Sequence, residues 1–296
     1  MLYIILADSA FELVPKHKKN QPAVRKNIKK LGNAGKILDI SLHHTIMRDM
    51  DDPYSRGRPD IMHKFLLDAL SSPLNRMNHL RIYVHTRRGV TYEINPLLRP
   101  PKDYNRFKGV LYKLWKEKSI KIKDTDKIDK DTLLNEKLIE ESRADKITKN
   151  QYREALRLRE NSVKNPGKPE SGPPLQFLKL SHFREYENTV LIRSVKKRIR
   201  DFVEYLNPDR IIRFTSRGKL LTPNTVFSNI KPDQHVLSIV GGFQSGSFST
   251  EISNIKAGEV AIFPMGIEAW AIFNRIIINY EDVIWRSIQN KRGNLK

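Results

Sequence analysis

Two segments of the sequence carry residue types whose spacing could do chemistry. The first, YSRGRPD (Tyr54–Asp60), is rich in arginine, and each guanidinium offers a planar fork of donors that suits phosphates and bases. The second, SIVGGFQSG (Ser238–Gly246), leaves an apolar strand into a turn where missing side chains let the backbone approach a ligand. It does not fit a dinucleotide-binding fingerprint, because GGFQSG is not GxGxxG. Taken alone, this segment is typical of an ordinary strand-ending turn.

Several other chemistries are disfavoured by the sequence. Cysteine is absent, which excludes disulfides, thiolate metal sites and cysteine nucleophiles. The side chains of the adjacent His43 and His44 diverge, and the other histidines lack the spacing of metal ligands, so no metal site is predicted. His63, in the first turn of a predicted helix, is interpreted as structural. The sequence contains no GxSxG segment and no P-loop.

The balance of charge indicates the kind of partner. The chain has 54 basic and 33 acidic residues, a net charge of +21, and a pI of about 10.0. Charge this lopsided favours a phosphate polymer, and the alternative is a soluble surface that is merely basic. No apolar run approaches the roughly 18–20 residues of a membrane span, and the N-terminal MLYIILADSAFELVPK has no basic leader. We expect no membrane partner and a cytoplasmic location, nucleolar if the source is eukaryotic.

The helices and strands predicted to position the arginine-rich segment lie on either side of it in the first half of the chain. A helix is predicted after it, because one helical face collects the apolar residues Ile61, Phe65, Leu66, Ala69 and Leu70. Asp60 is a candidate N-cap for this helix, and RFKGVLYKLWKEK is predicted as a basic amphipathic helix. Four strands are predicted, the last two paired as a hairpin: LYIILA (Leu2–Ala7), KILDI (Lys36–Ile40), LRIYVHT (Leu80–Thr86) and VTYEI (Val90–Ile94).

The second half predicts alternating strands, loops and helices. Its three short apolar strands each end in a loop with Gly, Ser or Pro: RIIRF (Arg210–Phe214), HVLSIV (His235–Val240) and EVAIF (Glu259–Phe263). A long helix, GIEAWAIFNRIIINYEDVIWRS, closes the chain. This pattern predicts an α/β fold with a mostly parallel sheet, whose ligands bind beyond the carboxyl ends of the strands.

The middle of the chain differs from both halves. Residues 121–190 contain 15 basic and 13 acidic residues, so the other 226 residues carry +19 of the net charge. The stretch includes NPGKPESGPP (Asn165–Pro174), which is typical of a linker. We interpret 117–188 as a charged, mainly helical insertion of unknown role. Residues 1–116 would then form the N-terminal part of the core, and residues 189–296 its C-terminal part.

Several motifs, in one order and spacing, resemble the ribosome-biogenesis pseudouridine-N1 methyltransferases, the Nep/Emg family. The matching residues are Arg58-Pro59-Asp60-Ile61-Met62-His63, Ser72-Pro73-Leu74-Asn75, Asn95-Pro96-Leu97-Leu98-Arg99, Pro101-Lys102, Arg106-Phe107 and Val240-Gly241-Gly242-Phe243-Gln244-Ser245-Gly246. The resemblance covers both halves of the chain and skips the insertion, which would be atypical of the family.

The resemblance implies a fold of the SPOUT class, with a C-terminal trefoil knot around the methyl donor S-adenosylmethionine. Knots are rare enough that only a family resemblance warrants predicting one. It also implies a homodimer that shares its RNA site across the interface. The residues matching the three donor-binding loops are Thr215 in the first, Gly241 and Gly246 in the second, and Val260, Ala261, Ile262, Phe263, Pro264 and Met265 in the third. The third loop departs from the family, because FPMG replaces the usual turn.

The substrate implied by the resemblance is small-subunit ribosomal RNA, and ribosomal proteins or assembly factors are further candidate partners. The positions that contact RNA in the family match Arg58, Arg99, Lys102 and Arg106. Arg58 would favour the anion formed when N1 of the base loses its proton, and Asp60 would hold that arginine in place. We name Arg58 and Asp60 as the catalytic candidates and no general base.

Two alternatives remain open at this point. The chain could be a non-catalytic RNA-binding assembly factor of the same fold, and the altered third donor loop is the one feature that favours this. It could also be a SPOUT enzyme that acts on tRNA, which the RPD and NPxxR motifs argue against. The sequence does not identify the target nucleotide.

Overall fold

The computed structural model describes residues 1–121 and 190–293, with side chains described through Arg286. The described elements build one compact unit from both halves of the chain, Met1–Ile120 and Leu191 onward. The first five residues of the predicted insertion end a helix and form a short strand. The rest of that prediction, including the linker, lies outside the described residues.

Eight strands form one sheet in the order β4-β5-β3-β2-β1-β7-β6-β8. The strands are β1 (Leu2–Ser9), β2 (Leu80–Thr86), β3 (Thr91–Ile94), β4 (Ser119–Lys121), β5 (Val190–Val195), β6 (Arg210–Leu220), β7 (Val236–Gly241) and β8 (Gly258–Ala261). β1 is parallel to β2 and β7, and β6 is parallel to β7 and β8. β3 is antiparallel to β2 and β5. The predicted α/β class with a mostly parallel sheet is therefore confirmed.

The central position of β1 follows from its composition. Its run LYIILA is almost continuously apolar, and Leu2, Ile4, Ile5, Leu6 and Ala7 are fully buried. A strand covered on both faces needs apolar residues at successive positions, whereas a half-exposed strand alternates. The carboxyl end of β1 therefore lies in the middle of the sheet edge where β2 and β7 also end.

Helices cover the sheet, and four of them begin with proline, whose missing N–H costs nothing at that position. They are α1 (Pro22–Leu31), α2 (Ile40–Met47), α3 (Pro59–Ser71), α4 (Pro73–Arg76), α5 (Tyr104–Glu117), α6 (Ile199–Leu206), α7 (Pro223–Phe227), α8 (Thr250–Ser253) and α9 (Ala269–Gly293). No helix among the described residues combines the length and the apolar character that crossing a membrane requires.

Each face of the sheet has its own packing. α6 and α8 pack with Ile5, Ala7, Tyr83 and Leu237 in one core cluster. α9 crosses back to the first half of the chain and packs on α3, where the rings of Phe65 and Phe273 lie 4.4 Å apart. The last element of the chain is thereby fixed against the helix that follows the arginine-rich segment. The trefoil knot implied by the resemblance stays a prediction.

Two predicted strands differ from the structure. KILDI is not a strand: Ile37 forms an isolated bridge with Leu13, and helix α2 begins at Ile40. Asp39 decides this, because its carboxylate accepts from the Ser41 backbone N–H and caps the helix. β6 does not end at Phe214 but continues to Leu220, with a shift of register against β8 between Phe214 and Lys219. The predicted loop at Thr215 is therefore a bulged extension of the strand.

Candidate functional site

The three predicted donor-binding segments meet at one edge of the sheet. Thr215 lies in β6, Gly241 ends β7, and Val260 and Ala261 lie in β8. β7, β6 and β8 are neighbours and parallel, so their carboxyl ends face the same side. The structure thus brings together residues that are as much as 46 positions apart in the sequence.

Two loops at this edge present backbone groups to a ligand. We name them the glycine loop (Gly241–Ser249) and the β8 loop (residues 262–267). Residues 243–248 and 262–267 form no backbone–backbone hydrogen bond within the described part of the chain. Apart from the Phe248 carbonyl, which accepts from the Ser253 hydroxyl at 3.4 Å, their N–H and C=O groups could pair with a planar heterocycle. Phe263 and Met265 are 46% and 68% exposed beside them. These groups fit the adenine of an adenosyl donor, which combines an apolar face with a polar edge.

The glycine that packing requires is Gly242 rather than Gly241. A Cβ added to Gly242 would lie 2.8 Å from the Cα of Ser9 in β1, whereas one added to Gly241 would meet only the movable ring of Phe243. Gly246 has φ +115° in open space, so its backbone conformation favours glycine. The predicted close backbone approach therefore exists, but its partner at Gly242 is the protein's own first strand.

Gly218 was not predicted as part of the site. A Cβ there would lie 2.4 Å from the backbone N of Val260, so the bulged end of β6 lies directly on β8. The backbone N–H of Leu221 then donates to Ala261 O at 2.8 Å. The available signal was a glycine inside a strand pattern, which often marks a close backbone approach. This contact joins the first and third donor segments.

Arg58 and Asp60 form the ion pair that the resemblance implies. Arg58 Nε lies 2.9 Å from Asp60 Oδ1, and Arg58 Nη2 lies 2.7 Å from Asp60 Oδ2. The hydrogen bond to Asp60 raises the pKa of Arg58, and the charge of Glu268, one residue beyond the β8 loop, adds to the rise. Asp60 is not the N-cap of α3, because the cap is Arg58 and the helix begins at Pro59. Asp60 instead lies in the first turn, where a carboxylate also interacts well with the helix dipole.

Two backbone hydrogen bonds tie Arg58 to the glycine loop. The N–H of Arg58 donates to Ala10 O at 3.1 Å, and the N–H of Ala10 donates to Gly242 O at 3.0 Å. Ala10 follows the end of β1, so one residue joins the arginine-rich segment to the second donor loop. The sequence gives no sign of this link, because the three residues are far apart in the chain.

Of the other predicted RNA-binding residues, Arg99 and Lys102 lie on the segment that leads into α5, and Arg106 lies in the first turn of α5. Arg99 donates to the carbonyl oxygens of Pro96 and Leu98, both at 3.0 Å, so it also holds its own turn. Lys102 and Arg106 are exposed. The segment is fastened to α3 by His63, whose Nε2 lies 2.7 Å from Pro101 O.

Among the described residues, no group of three or more His, Cys, Asp or Glu side chains is placed to hold a metal ion. His63 is 7% exposed and stacks on Phe107 at 4.4 Å, which agrees with its structural interpretation.

A buried ion pair that was not predicted lies next to the helix that follows Arg58. Lys108 Nζ lies 2.8 Å from Asp39 Oδ2, and both side chains are almost fully buried. The Tyr104 hydroxyl donates to the same carboxylate oxygen at 3.0 Å. Tyr104 in turn stacks on His63, with ring centroids 5.6 Å apart. The cluster therefore joins the start of α2 to α5 and, through the rings, to α3.

Loss of the Lys108 ammonium is expected to destabilise the fold. Lys108→Met would leave the Asp39 charge buried without its cation, which costs about 3–5 kcal/mol in the free energy of unfolding. The double variant Lys108→Met/Asp39→Asn should recover part of that loss, because the amide still accepts from Ser41. Urea unfolding of the three proteins at neutral pH measures both effects. Equal stability of the single and double variants would contradict the ion-pair interpretation.

The same pair predicts how stability depends on pH. Burial raises the pKa of Asp39, but hydrogen bonds from Lys108, Ser41 and Tyr104 outweigh it and hold the pKa below its usual value. The stabilisation is therefore complete above the unfolded-state pKa of about 3.9 and is lost as the pH falls through the folded-state value. The double variant should lose less stability over this acid range than the wild-type protein.

Comparison with known proteins gives one family. The sequence model described as "EMG1/NEP1 methyltransferase" matches residues 4–164 and 175–281. The gap between the matched ranges is the Pro/Gly-rich segment Asn165–Pro174. The rest of the predicted insertion, 117–164 and 175–188, falls within the matched ranges.

Relatives of known name and one solved structure agree with this match. Proteins named "Ribosomal RNA small subunit methyltransferase Nep1" include one from Staphylothermus marinus, 30% identical over 280 residues that cover 94% of each chain. Another, from Thermococcus sibiricus, is 27% identical over 288 residues, covering 96% of this chain and all of the relative. The crystal structure of Archaeoglobus fulgidus Nep1 bound to S-adenosylhomocysteine has a TM-score of 0.64 and 24% identity, covering 95% of this chain and 97% of that one. This last similarity shows a shared fold.

Proposed function

Because this chain belongs to the EMG1/NEP1 methyltransferase family, we propose that it uses S-adenosylmethionine to methylate N1 of a pseudouridine in small-subunit ribosomal RNA. The curated relatives are small-subunit rRNA methyltransferases by name, and a related structure holds the donor's demethylated product. The observation that carries the proposal is the pair of hydrogen bonds through Ala10 that fixes Arg58 to the glycine loop.

The donor side of the site is built from backbone groups. When bound, S-adenosylmethionine supplies a methyl group on a sulfonium centre for in-line displacement, a reaction that positioning accelerates strongly. The free backbone groups of the β8 loop would hold the adenine, and the glycine loop would hold the rest of the donor. Exposed Phe263 and Met265 would cover the ring, since both side chains suit a flat apolar face.

Arg58 acts on the base. N1 of pseudouridine carries a proton that leaves, and a fixed cation favours the resulting anion. The Arg58 guanidinium is oriented by Asp60, and its backbone is fixed by Ala10, so the charge is held in place before the base arrives. The exposed Lys102 and Arg106 would bind phosphates, where a point charge suffices.

We assign no general base. The Asp60 carboxylate is engaged by the Arg58 guanidinium. The phenol of Tyr104 keeps its proton, because burial raises its pKa and the nearby charges of Asp39 and Asp60 raise it further. Neither Asp60 nor Tyr104 is therefore assigned as the base.

Three further properties belong to the proposal. The C-terminal chain forms a trefoil knot around the donor, the protein acts where ribosomal subunits are assembled, and it is a homodimer. Support for the dimer comes from Ile278 and Trp285, which expose 58% and 47% of their surface on α9 and are the kind of apolar side chains that interfaces cover. Sedimentation should give twice the chain mass of 34.5 kDa.

The test of the proposed function is mass spectrometry of ribosomal RNA incubated with protein and donor. One added methyl group should appear only on RNA that has first been pseudouridylated. Calorimetry with S-adenosylhomocysteine distinguishes the enzyme from a non-catalytic assembly factor, which would bind RNA but not the donor product. Methylation of RNA without pseudouridine would refute the assigned substrate.

A further inference from the structure

Both ends of the glycine loop are attached to the end of β1. At the start of the loop, the Gly242 N–H donates to the carbonyl oxygen of Ala7 at 2.6 Å. At its far end, the Ser249 N–H donates to Asp8 Oδ2 at 2.7 Å. The first attachment uses only backbone atoms, whereas the second depends on one side chain. The identity of residue 8 therefore decides whether the far end of the loop is held.

Placing Asp8 for its contact with Ser249 has a cost in folding free energy. Its side chain is fully buried, and its backbone has φ +51°, in the left-handed region that favours glycine, asparagine and aspartate. Its second carboxylate oxygen, Oδ1, has no hydrogen-bond partner in the described part of the chain. Burying a carboxylate oxygen without a partner is costly, so packing alone gives no reason for an acid here.

His85 lies between Asp8 and the segment that follows the loop. It is in β2 and 1% exposed, with Nδ1 3.6 Å from Asp8 Oδ1 and Nε2 3.7 Å from Glu251 Oε2. Neither ring nitrogen has a hydrogen-bond partner among the described residues. Burial lowers the pKa of His85, so the ring is neutral and its single N–H can serve only one carboxylate at a time.

Glu251 connects this group to the loop. It lies in α8, whose first turn is capped by the Ser249 hydroxyl through the Ile252 N–H. A Cβ added to Gly89, in the turn between β2 and β3, would lie 3.6 Å from Glu251 Oε2. α8 is therefore seated against the hairpin, with His85 beneath it.

We propose that Asp8 and His85 are positioning residues for the donor-binding loop. Asp8 fixes the far end of the glycine loop to β1, and His85, packed between the Asp8 carboxylate and Glu251, keeps α8 and the loop in one position. Because Ala10 also joins Gly242 to Arg58, the same turn sets the donor loop and the catalytic arginine together. The positioning of the loop does not depend on the proposed function. Only its expected effect on donor binding rests on that function.

The experiment first measures the loop without any ligand. Hydrogen–deuterium exchange of residues 242–252 in the free protein should become roughly 10-fold faster in Asp8→Ala, which loses the acceptor for Ser249. Asp8→Asn should stay within about 3-fold of the wild-type rate, because its amide oxygen still accepts and asparagine tolerates the left-handed backbone. His85→Phe keeps an aromatic ring, slightly larger than imidazole, but removes both nitrogens, and it should speed exchange over residues 249–253. Ser238→Ala is the matched control, since Ser238 is equally buried in β7, its hydroxyl is unpartnered within the described residues, and its strand neighbours are Ile4 in β1 and Ile212 in β6.

The second measurement is binding. Asp8→Ala should raise the Kd for S-adenosylhomocysteine by roughly 10-fold while RNA affinity stays unchanged, and Asp8→Asn should restore donor binding. Unchanged exchange in Asp8→Ala overturns the positioning role. If Asp8→Ala fails to fold, wild-type exchange in His85→Phe overturns it instead. If Asp8→Ala exchanges faster but the wild-type protein does not bind S-adenosylhomocysteine, the positioning role is supported and the proposed function is contradicted.

Discussion

Arg58→Ala is expected to lower kcat by about 100-fold or more, while RNA binding weakens much less. An interaction that is stronger in the transition state than in the bound substrate affects kcat rather than affinity. Removal of one fixed group that stabilises developing charge typically costs about 10²–10³ in kcat. Arg58 is proposed to be such a group, because Asp60 orients its guanidinium and Ala10 fixes its backbone. Single-turnover methylation and RNA binding at several salt concentrations measure the two effects separately.

The matched controls are other cations of the proposed RNA surface. Lys102→Ala should weaken RNA binding, reduce the slope of log K against log salt by about one, and leave kcat nearly unchanged. Arg99→Ala should also act mainly on binding, with an added loss because Arg99 holds its own turn. If Arg58→Ala and Lys102→Ala show the same loss of affinity with the same kcat, Arg58 only binds phosphate.

A double-mutant comparison tests the Arg58–Asp60 pair. Asp60→Ala should reproduce part of the Arg58→Ala loss, because an arginine without its carboxylate samples other positions. Combining the two changes should add little, since residues in direct contact are not additive. Fully additive losses would mean that Asp60 acts on its own, through the dipole of α3.

Gly242→Val is expected to have the second large effect, on donor binding. Even the first carbon of the new side chain would lie 2.8 Å from Ser9 Cα and 3.0 Å from Leu6 Cγ. Because β1 is the buried centre of the sheet, the loop must move instead, and overpacking of this kind costs about 1–3 kcal/mol in stability. A displacement of about 1 Å at a reactive site can cost 10²-fold in rate. The Ala10 link would carry the displacement to Arg58, so we expect kcat to fall as well as donor affinity.

Two neighbouring glycines provide the comparison. Gly241→Ala would meet only the ring of Phe243, which can rotate away, and should bind S-adenosylhomocysteine nearly as the wild-type protein does. A Cβ at Gly246 would lie in open space, but the backbone φ there is +115°, which alanine rarely adopts. Gly246→Ala should therefore strain the loop and lower the stability by about 1 kcal/mol. Calorimetry on the three variants should rank Gly242→Val as the most damaging. Normal donor binding by that variant would place the donor elsewhere.

Much of the architecture could be predicted because it depends on neighbours in the chain. The buried strand β1 follows from its continuous apolar run, and the hairpin of β2 and β3 and helix α3 follow from periodicities of two and 3.6 residues. The Arg58–Asp60 pair spans two residues, so the resemblance could carry it over directly. The net charge of +21 indicated a polyanionic partner without any knowledge of the fold.

The failures come from side-chain contacts that a periodicity pattern does not show. KILDI has the composition of a strand, but the Asp39 carboxylate caps a helix through the Ser41 N–H and is paired with Lys108, 69 positions away. Lys108 itself was predicted only as part of a basic amphipathic helix, whereas it is almost fully buried by this pairing.

The glycine segment separates what the local sequence determines from what the tertiary structure determines. The sequence by itself determined that a strand ends in a glycine turn and that a ligand could approach there. Only the tertiary structure decided that Gly242 is the position that cannot change, because the atom it meets belongs to Ser9, over 230 residues away. Local propensities act through bonds and turns of a few residues, and they carry no information about which strands become neighbours. Sheet order sets those neighbours, and the hydrogen bonds of Ala10 join the glycine loop to the arginine that we propose acts on the base.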